Sequence, residues 1–274
     1  MAINTLEAML EQVDEESPNP ATIELLNELA RAHYVQGDFA SATDYADKVL
    51  RHAERLNLVP LVLDALITRG TSVAFEGRLR EGQIMLTGAV TLAEDEGHAV
   101  QQARAYVNLA EFLRTVKPYQ ALVAGRRGLE LARRVGLREW EYYLAANVVK
   151  AAFPTGEWDW ANSTLSELFE EGIPDGVDPE ALCVAATLAA FRGDLESQEA
   201  AWDKAREMSV ETTDPQVVAQ LRESEAWIAI AEGRVSEAHQ SAGAAVSADP
   251  NGSAAIVGTS LPRGQVSGLE MQRE

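Results

Sequence analysis

One short phrase recurs along this chain, and its period constrains the fold more than any other feature. "QGDFASA" (Gln36–Ala42) returns as "EGRLREG" (Glu76–Gly82), "TGEWDWA" (Thr155–Ala161), "RGDLESQ" (Arg192–Gln198) and "EGRVSEA" (Glu232–Ala238). Each has a glycine, an apolar or aromatic residue two places on, and a closing residue, usually small, five places on. A further copy in "RTVKPYQAL" (Arg114–Leu122) puts Val116 where the glycine stands and breaks the chain with Pro118 instead. The closing positions, Ala42, Gly82, Ala121, Ala161, Gln198 and Ala238, are spaced by 40, 39, 40, 37 and 40 residues. Six turns on one period predict a repeat array rather than a single closed core.

The segments around each turn read as helices. Ile23, Leu26, Leu29, Ala30, His33 and Tyr34 recur at helical spacing before Gly37, and Ala42, Ala46, Val49 and Leu50 do so after it. Glycine ends the first helix because it enters the left-handed region without a Cβ clash. Phe39 is expected to pack across the turn, with Ala30 and Ala42 letting the two helices approach closely. The second repeat offers Leu66, Gly70, Leu79, Gly82, Leu86 and Ala89 in those roles, and the fourth offers Ala145, Trp158, Ala161, Leu165 and Leu168. Between repeats, Asn19-Pro20, Asp178-Pro179 and Asp214-Pro215 place a capping side chain before a proline suited to a first helical turn, and Pro60 opens a helix likewise.

These signals predict repeats over about 20–56, 60–97, 100–137, 139–173, 178–209 and 214–249, an array over 19–250. Residues 1–18 are expected to form a short N-terminal helix, with Leu6, Met9, Leu10 and Val13 as its apolar stripe. Pro250 is expected to stop the last helix, and 251–274, rich in Gly and Ser, reads as a disordered tail.

The pattern Leu29-Ala30, Tyr34, Gly37-Asp38-Phe39, Ala42, Val49-Leu50 resembles the tetratricopeptide repeat, over about residues 20–250. The resemblance implies an all-α, right-handed superhelical solenoid of about six tetratricopeptide-like hairpins. The glycine-x-aromatic turn argues against a HEAT or armadillo array, whose units are of similar length. Phrases such as "GLELARRVG" are similar to the C-terminal repeat regions of large bacterial signalling proteins. Those join an adenylate/guanylate cyclase or a winged or LuxR-type DNA-binding domain to a signalling ATPase and then to such repeats. The catalytic and DNA-binding parts have no counterpart here, so the chain reads as a free-standing repeat protein or as a piece of a larger one.

Chemistry is hard to find. The formal charge of −20, from 43 acidic and 23 basic residues, repels phosphate, which argues against nucleic acid or an anionic membrane as partner. No phosphate-binding loop occurs; "GTSLPRGQ" (Gly258–Gln265) has the wrong spacing and no lysine. His33, His52, His98 and His239 make no zinc-ligand pattern with Cys183, which lies in the apolar run "ALCVAATLAAF" and reads as a core thiol. Glu157 and Asp159 flank Trp158 in "GEWDW", but Trp158 holds the cross-turn place of Phe39 and the acids suit a helix N-terminus. Trp160 has no place in the core pattern and is a candidate contact. The expectation is no enzyme, no metal and no cofactor. With no signal peptide and no span of membrane length, a cytoplasmic protein is expected.

What remains is the concave face, lined by the first helices of the hairpins, where such arrays accommodate a peptide or partner helix. The candidate contacts are Asn27, Arg31 and Tyr34; Arg104, Asn108 and Glu111; and Asn147 and Lys150. Ile67, Thr71 and Phe75 take the corresponding place in the second repeat. Asn side chains can bond a peptide backbone, and Arg or Lys a carboxylate. The expected function is a scaffold for a protein or peptide partner in bacterial signalling or regulation. The alternative is a sensor region of a larger cyclase/ATPase or LuxR-type regulator, binding a small ligand.

Overall fold

The computed structural model describes residues 2–12, 19–170, 172 and 179–249. Among them the chain forms α1 (Ala2–Leu10), α2 (Pro20–Val35), α3 (Phe39–Arg55), α4 (Val59–Phe75), α5 (Leu79–Asp95), α6 (Ala99–Val116), α7 (Pro118–Val135), α8 (Arg138–Thr155), α9 (Trp158–Phe169), α10 (Glu180–Arg192), α11 (Leu195–Met208), α12 (Pro215–Ala231) and α13 (Val235–Ala248). No strand occurs among the described residues. The fold class is therefore all-α, an array of helical hairpins.

The chain divides into two compact units, residues 1–147 and 148–274. In the first, α2/α3, α4/α5 and α6/α7 are hairpins, and the first helices α2, α4 and α6 also pack on one another in succession. In the second, α10/α11 and α12/α13 are hairpins, with α10 packed on α12.

The recurring phrase forms the turns. Gly37, Gly77, Gly156, Gly193 and Gly233 all have φ between 74° and 90°, where a Cβ is strained. The following N–H returns to the helix just ended, Asp38 N to His33 O at 3.0 Å and Arg78 N to Val73 O at 2.9 Å, closing the orphan carbonyls. A second series was not evident in the sequence: Asn57, Gly97 and Gly136, one period apart, adopt the same conformation between hairpins. Asn19 and Asp214 cap α2 and α12 through Thr22 N and Gln216 N. Pro179 is the N-cap residue of α10 rather than its first helical residue, and Pro118 opens α7.

Packing follows the small-residue positions. Ile23, Leu26, Leu29 and Ala30 of α2 are buried with Ala42, Ala46 and Val49 of α3. Gly82 comes so near α4 that a Cβ there would lie 2.6 Å from both Ala74 Cβ and Gly70 O. Some expectations change. Leu79 is exposed and Leu66 only half-buried, while Ile67 is fully buried core. In α1, Ile3 and Leu10 are buried and Met9 faces outward. Val13, Asp178, Pro250 and the expected tail lie outside the described residues.

Candidate functional site

In unit 1 the first helices carry three parallel stripes. Asn27, Arg31 and Tyr34 stand at i, i+4 and i+7 on α2, and Arg104, Asn108 and Glu111 at the same spacing on α6, so each trio shares a face. Asp64, Thr68 and Thr71 of α4 lie between them.

Arg104 ties these stripes together. Its side chain is 12% exposed; Nη1 donates to Asp64 Oδ1 at 2.7 Å and Nη2 to Thr68 Oγ1 at 2.8 Å. Burial draws the guanidinium below its ordinary pKa; Asp64 opposes that fall and Arg31 adds to it, which puts Arg31 within electrostatic reach. Asn108 donates from Nδ2 to Arg104 O at 2.9 Å and accepts from Thr71 Oγ1 at 3.2 Å. Glu111 pairs with Arg114 at 2.9 Å. The Tyr34 ring meets those of Phe39 and Phe75, with centroids 6.0 and 6.3 Å away. Arg31 is half exposed and approaches Glu28 at 3.3 Å.

Asn27 is different. It is 3% exposed, yet its Oδ1 is buried without a hydrogen-bond partner. Asn147 of α8 is likewise buried with an unpartnered Oδ1. In unit 2, Lys150 Nζ bonds Glu180 Oε1 of α10 and, at 2.8 Å, Gln220 Oε1 of α12, linking three first helices. The structure thus commits Arg104, Asn108 and Lys150 to neighbouring helices, and leaves Arg31 and Tyr34 within electrostatic reach of Arg104. Thr71, like Asn27, is buried.

Sequence reasoning missed Asp64, Thr68, Glu180 and Gln220. For Asp64 the signal was present: it precedes Arg104 by 40 residues, one full period.

The remaining chemical candidates have structural partners. His33 Nδ1 lies 3.2 Å from Asp38 Oδ2, and its ring stacks on Tyr45. Cys183 is buried. Trp158 donates from Nε1 to Phe153 O at 3.0 Å, and Asp159 pairs with Arg192 at 2.9 Å. Trp160 is half-buried. Among the described residues no group of three or more His, Cys, Asp or Glu is placed to hold a metal ion, and no helix is long and apolar enough to cross a membrane.

The sequence matches no protein-family model and no curated protein. Solved structures do match. BtubC (BKLC) from P. vanneervenii superposes with a TM-score of 0.61 at 17% identity, over 76% of this chain and 89% of that one. A Rap protein complexed with competence and sporulation factor gives 0.61 at 14% identity, over 98% and 79%. The apo form of RapI gives 0.58 at 13%, over 88% and 68%. The fold is tetratricopeptide-like. At these identities the likeness is one of fold alone.

Proposed function

We propose that this chain is a non-enzymatic protein-interaction scaffold, whose first-helix face in unit 1 takes a peptide or an extended segment of a partner. Asn27 carries the reading. A buried carbonyl oxygen with no partner costs about 1–3 kcal/mol, and such a cost is offset where a ligand supplies the missing bond. A half-turn of the amide about its soft χ2 exchanges oxygen and nitrogen, so Asn27 offers acceptor or donor to a peptide backbone. Arg31, four residues on and half exposed, suits a carboxylate. Arg104, Asn108 and Glu111 hold the face in shape, and Tyr34 supplies an apolar wall. Asn147 and Lys150 are the corresponding candidates on α8. A Rap protein of similar fold forms a complex with competence and sporulation factor, which supports a partner of this kind.

The long-repeat phrases favour a second reading, in which the array is the sensing part of a bacterial cyclase/ATPase or LuxR-type regulator. Both place the chain in the cytoplasm.

The test is selection of binders from a displayed random-peptide library against the full chain, then titration against N27L/R31A. The expected result is a loss of at least about tenfold in affinity. Selected peptides that bind the double variant as tightly as the parent would remove this face from consideration.

A further inference from the structure

Charge is unevenly divided along the chain. Residues 148–249 hold 20 Asp and Glu against 6 Lys and Arg, a balance of −14, whereas residues 1–147 hold 21 against 15. Most of the excess negative charge therefore lies in the shorter stretch.

The same stretch carries a row of rings. Phe153, near the end of α8, lies 5.9 Å from Trp158 at the start of α9 and 5.9 Å from Phe191 at the end of α10. Trp158 and Phe191 are 6.0 Å apart, and Phe191 continues to Trp227 of α12 at 6.2 Å. All four are half-buried, so part of each side chain reaches solvent. Leu195, which opens α11 just after the turn that follows Phe191, is 61% exposed.

Carboxylates stand in these turns. Glu157, Asp159, Asp194, Glu196, Glu232 and Glu237 lie in these turns and in the first turns of the helices that follow, and the same segments hold two cations, Arg192 and Arg234. Both cations are already paired, Arg192 with Asp159 and Arg234 with Glu232 and Glu237. An apolar row thus runs beside turns and helix starts whose sequence carries six carboxylates and two cations.

We propose that this edge of unit 2 is a second docking surface, which takes a basic amphipathic helix of a partner protein. Charge complementarity selects the occupant. An acidic segment, an anionic lipid surface and a second copy of this chain, itself at −20, are all repelled by these carboxylates. The rings and Leu195 take the apolar side chains at i, i+4 and i+7, which span about 11 Å of helix. The two steps from Phe153 to Phe191 to Trp227, 5.9 and 6.2 Å, have a matching reach. Flanking Lys or Arg then meet the carboxylates, and Arg also stacks on indole faces.

The probe is a synthetic helix-forming peptide of about 16 residues, with Leu at i, i+4 and i+7 and Lys or Arg on either side. Its control keeps the Leu positions and replaces every basic residue by Glu. Calorimetric titration into the full chain should show binding of the basic peptide alone, weakening as salt is raised. E157K/L195S/E196K changes only exposed side chains at the turns and helix starts, and should cost at least about tenfold in affinity with an unchanged circular dichroism spectrum. N27L/R31A should leave this binding intact, which separates the surface from that on unit 1. Equal binding of the two peptides, no binding of the basic one, or unchanged affinity in the triple variant would each overturn the proposal.

Discussion

Arg104 and Asp64 stand one repeat apart in sequence and 2.7 Å apart in space, and this ion pair fastens the first helix of one hairpin to that of the next. Arg104→Met removes the fork and leaves Asp64 poorly solvated and uncompensated, an expected loss of about 3 kcal/mol. Arg104→Lys keeps the charge but cannot reach Asp64 and Thr68 together, so it should recover only part of that. Urea unfolding of the three proteins measures the order.

Two glycines of α5 should respond in opposite directions to alanine. A Cβ at Gly82 would stand 2.6 Å from Gly70 O, which is backbone and cannot yield. Gly82→Ala should therefore cost about 1–3 kcal/mol. A Cβ at Gly88 meets nothing within 4 Å, so Gly88→Ala should stabilise by about 0.5–1 kcal/mol, through the helix entropy that glycine forfeits. Thermal unfolding of the pair reads both signs.

Acid should loosen the first hairpin. The Asp38 carboxyl is held below its ordinary value of 3.8, chiefly by the hydrogen bond from Ser41 against an opposing burial effect, with His33 adding to the fall. A lowered carboxyl contributes stability above its unfolded pKa and loses it as the pH falls through the folded one. Asp38→Ala should cost about 1 kcal/mol at neutral pH. The gap to wild type should hold down to about pH 4 and close below it. Denaturant midpoints across the acid range check this.

Asn27→Leu separates ligand chemistry from folding. Removing a buried oxygen that has no partner should leave stability unchanged or raise it by about 1 kcal/mol, while peptide binding falls. A stability loss above about 2 kcal/mol in urea unfolding would show the amide to be structural instead.

The repeat was readable from sequence because glycine and alanine answer local constraints: a left-handed turn at Gly37 and close approach at Ala42 need no knowledge of distant residues. Asn57 escaped notice because asparagine takes that conformation less visibly than glycine, although Gly97 and Gly136 mark its period. The candidate face was legible only as residue types. Whether an arginine on a helix is free depends on what the adjacent helix presents, and Asp64, which occupies Arg104, lies 40 residues away. Lys150 shows the same limit, since Glu180 and Gln220 belong to two different later hairpins. Met9 and Leu79 fit an apolar pattern and still face outward, because small helices and turn starts have more apolar positions than neighbours to cover them.

The joints between hairpins make this chain divisible. Asn57 and Gly97 share one backbone conformation, and each is followed by an N–H that returns to the preceding helix, Leu58 N to Ala53 O and His98 N to Ala93 O. Excising residues 58–97 would therefore splice two like joints and delete one whole period. Arg104 would then come beside α2 in place of α4, and one period before Asp64 stands Glu24, another carboxylate. Loss of that single hairpin would find the counter-charge already there.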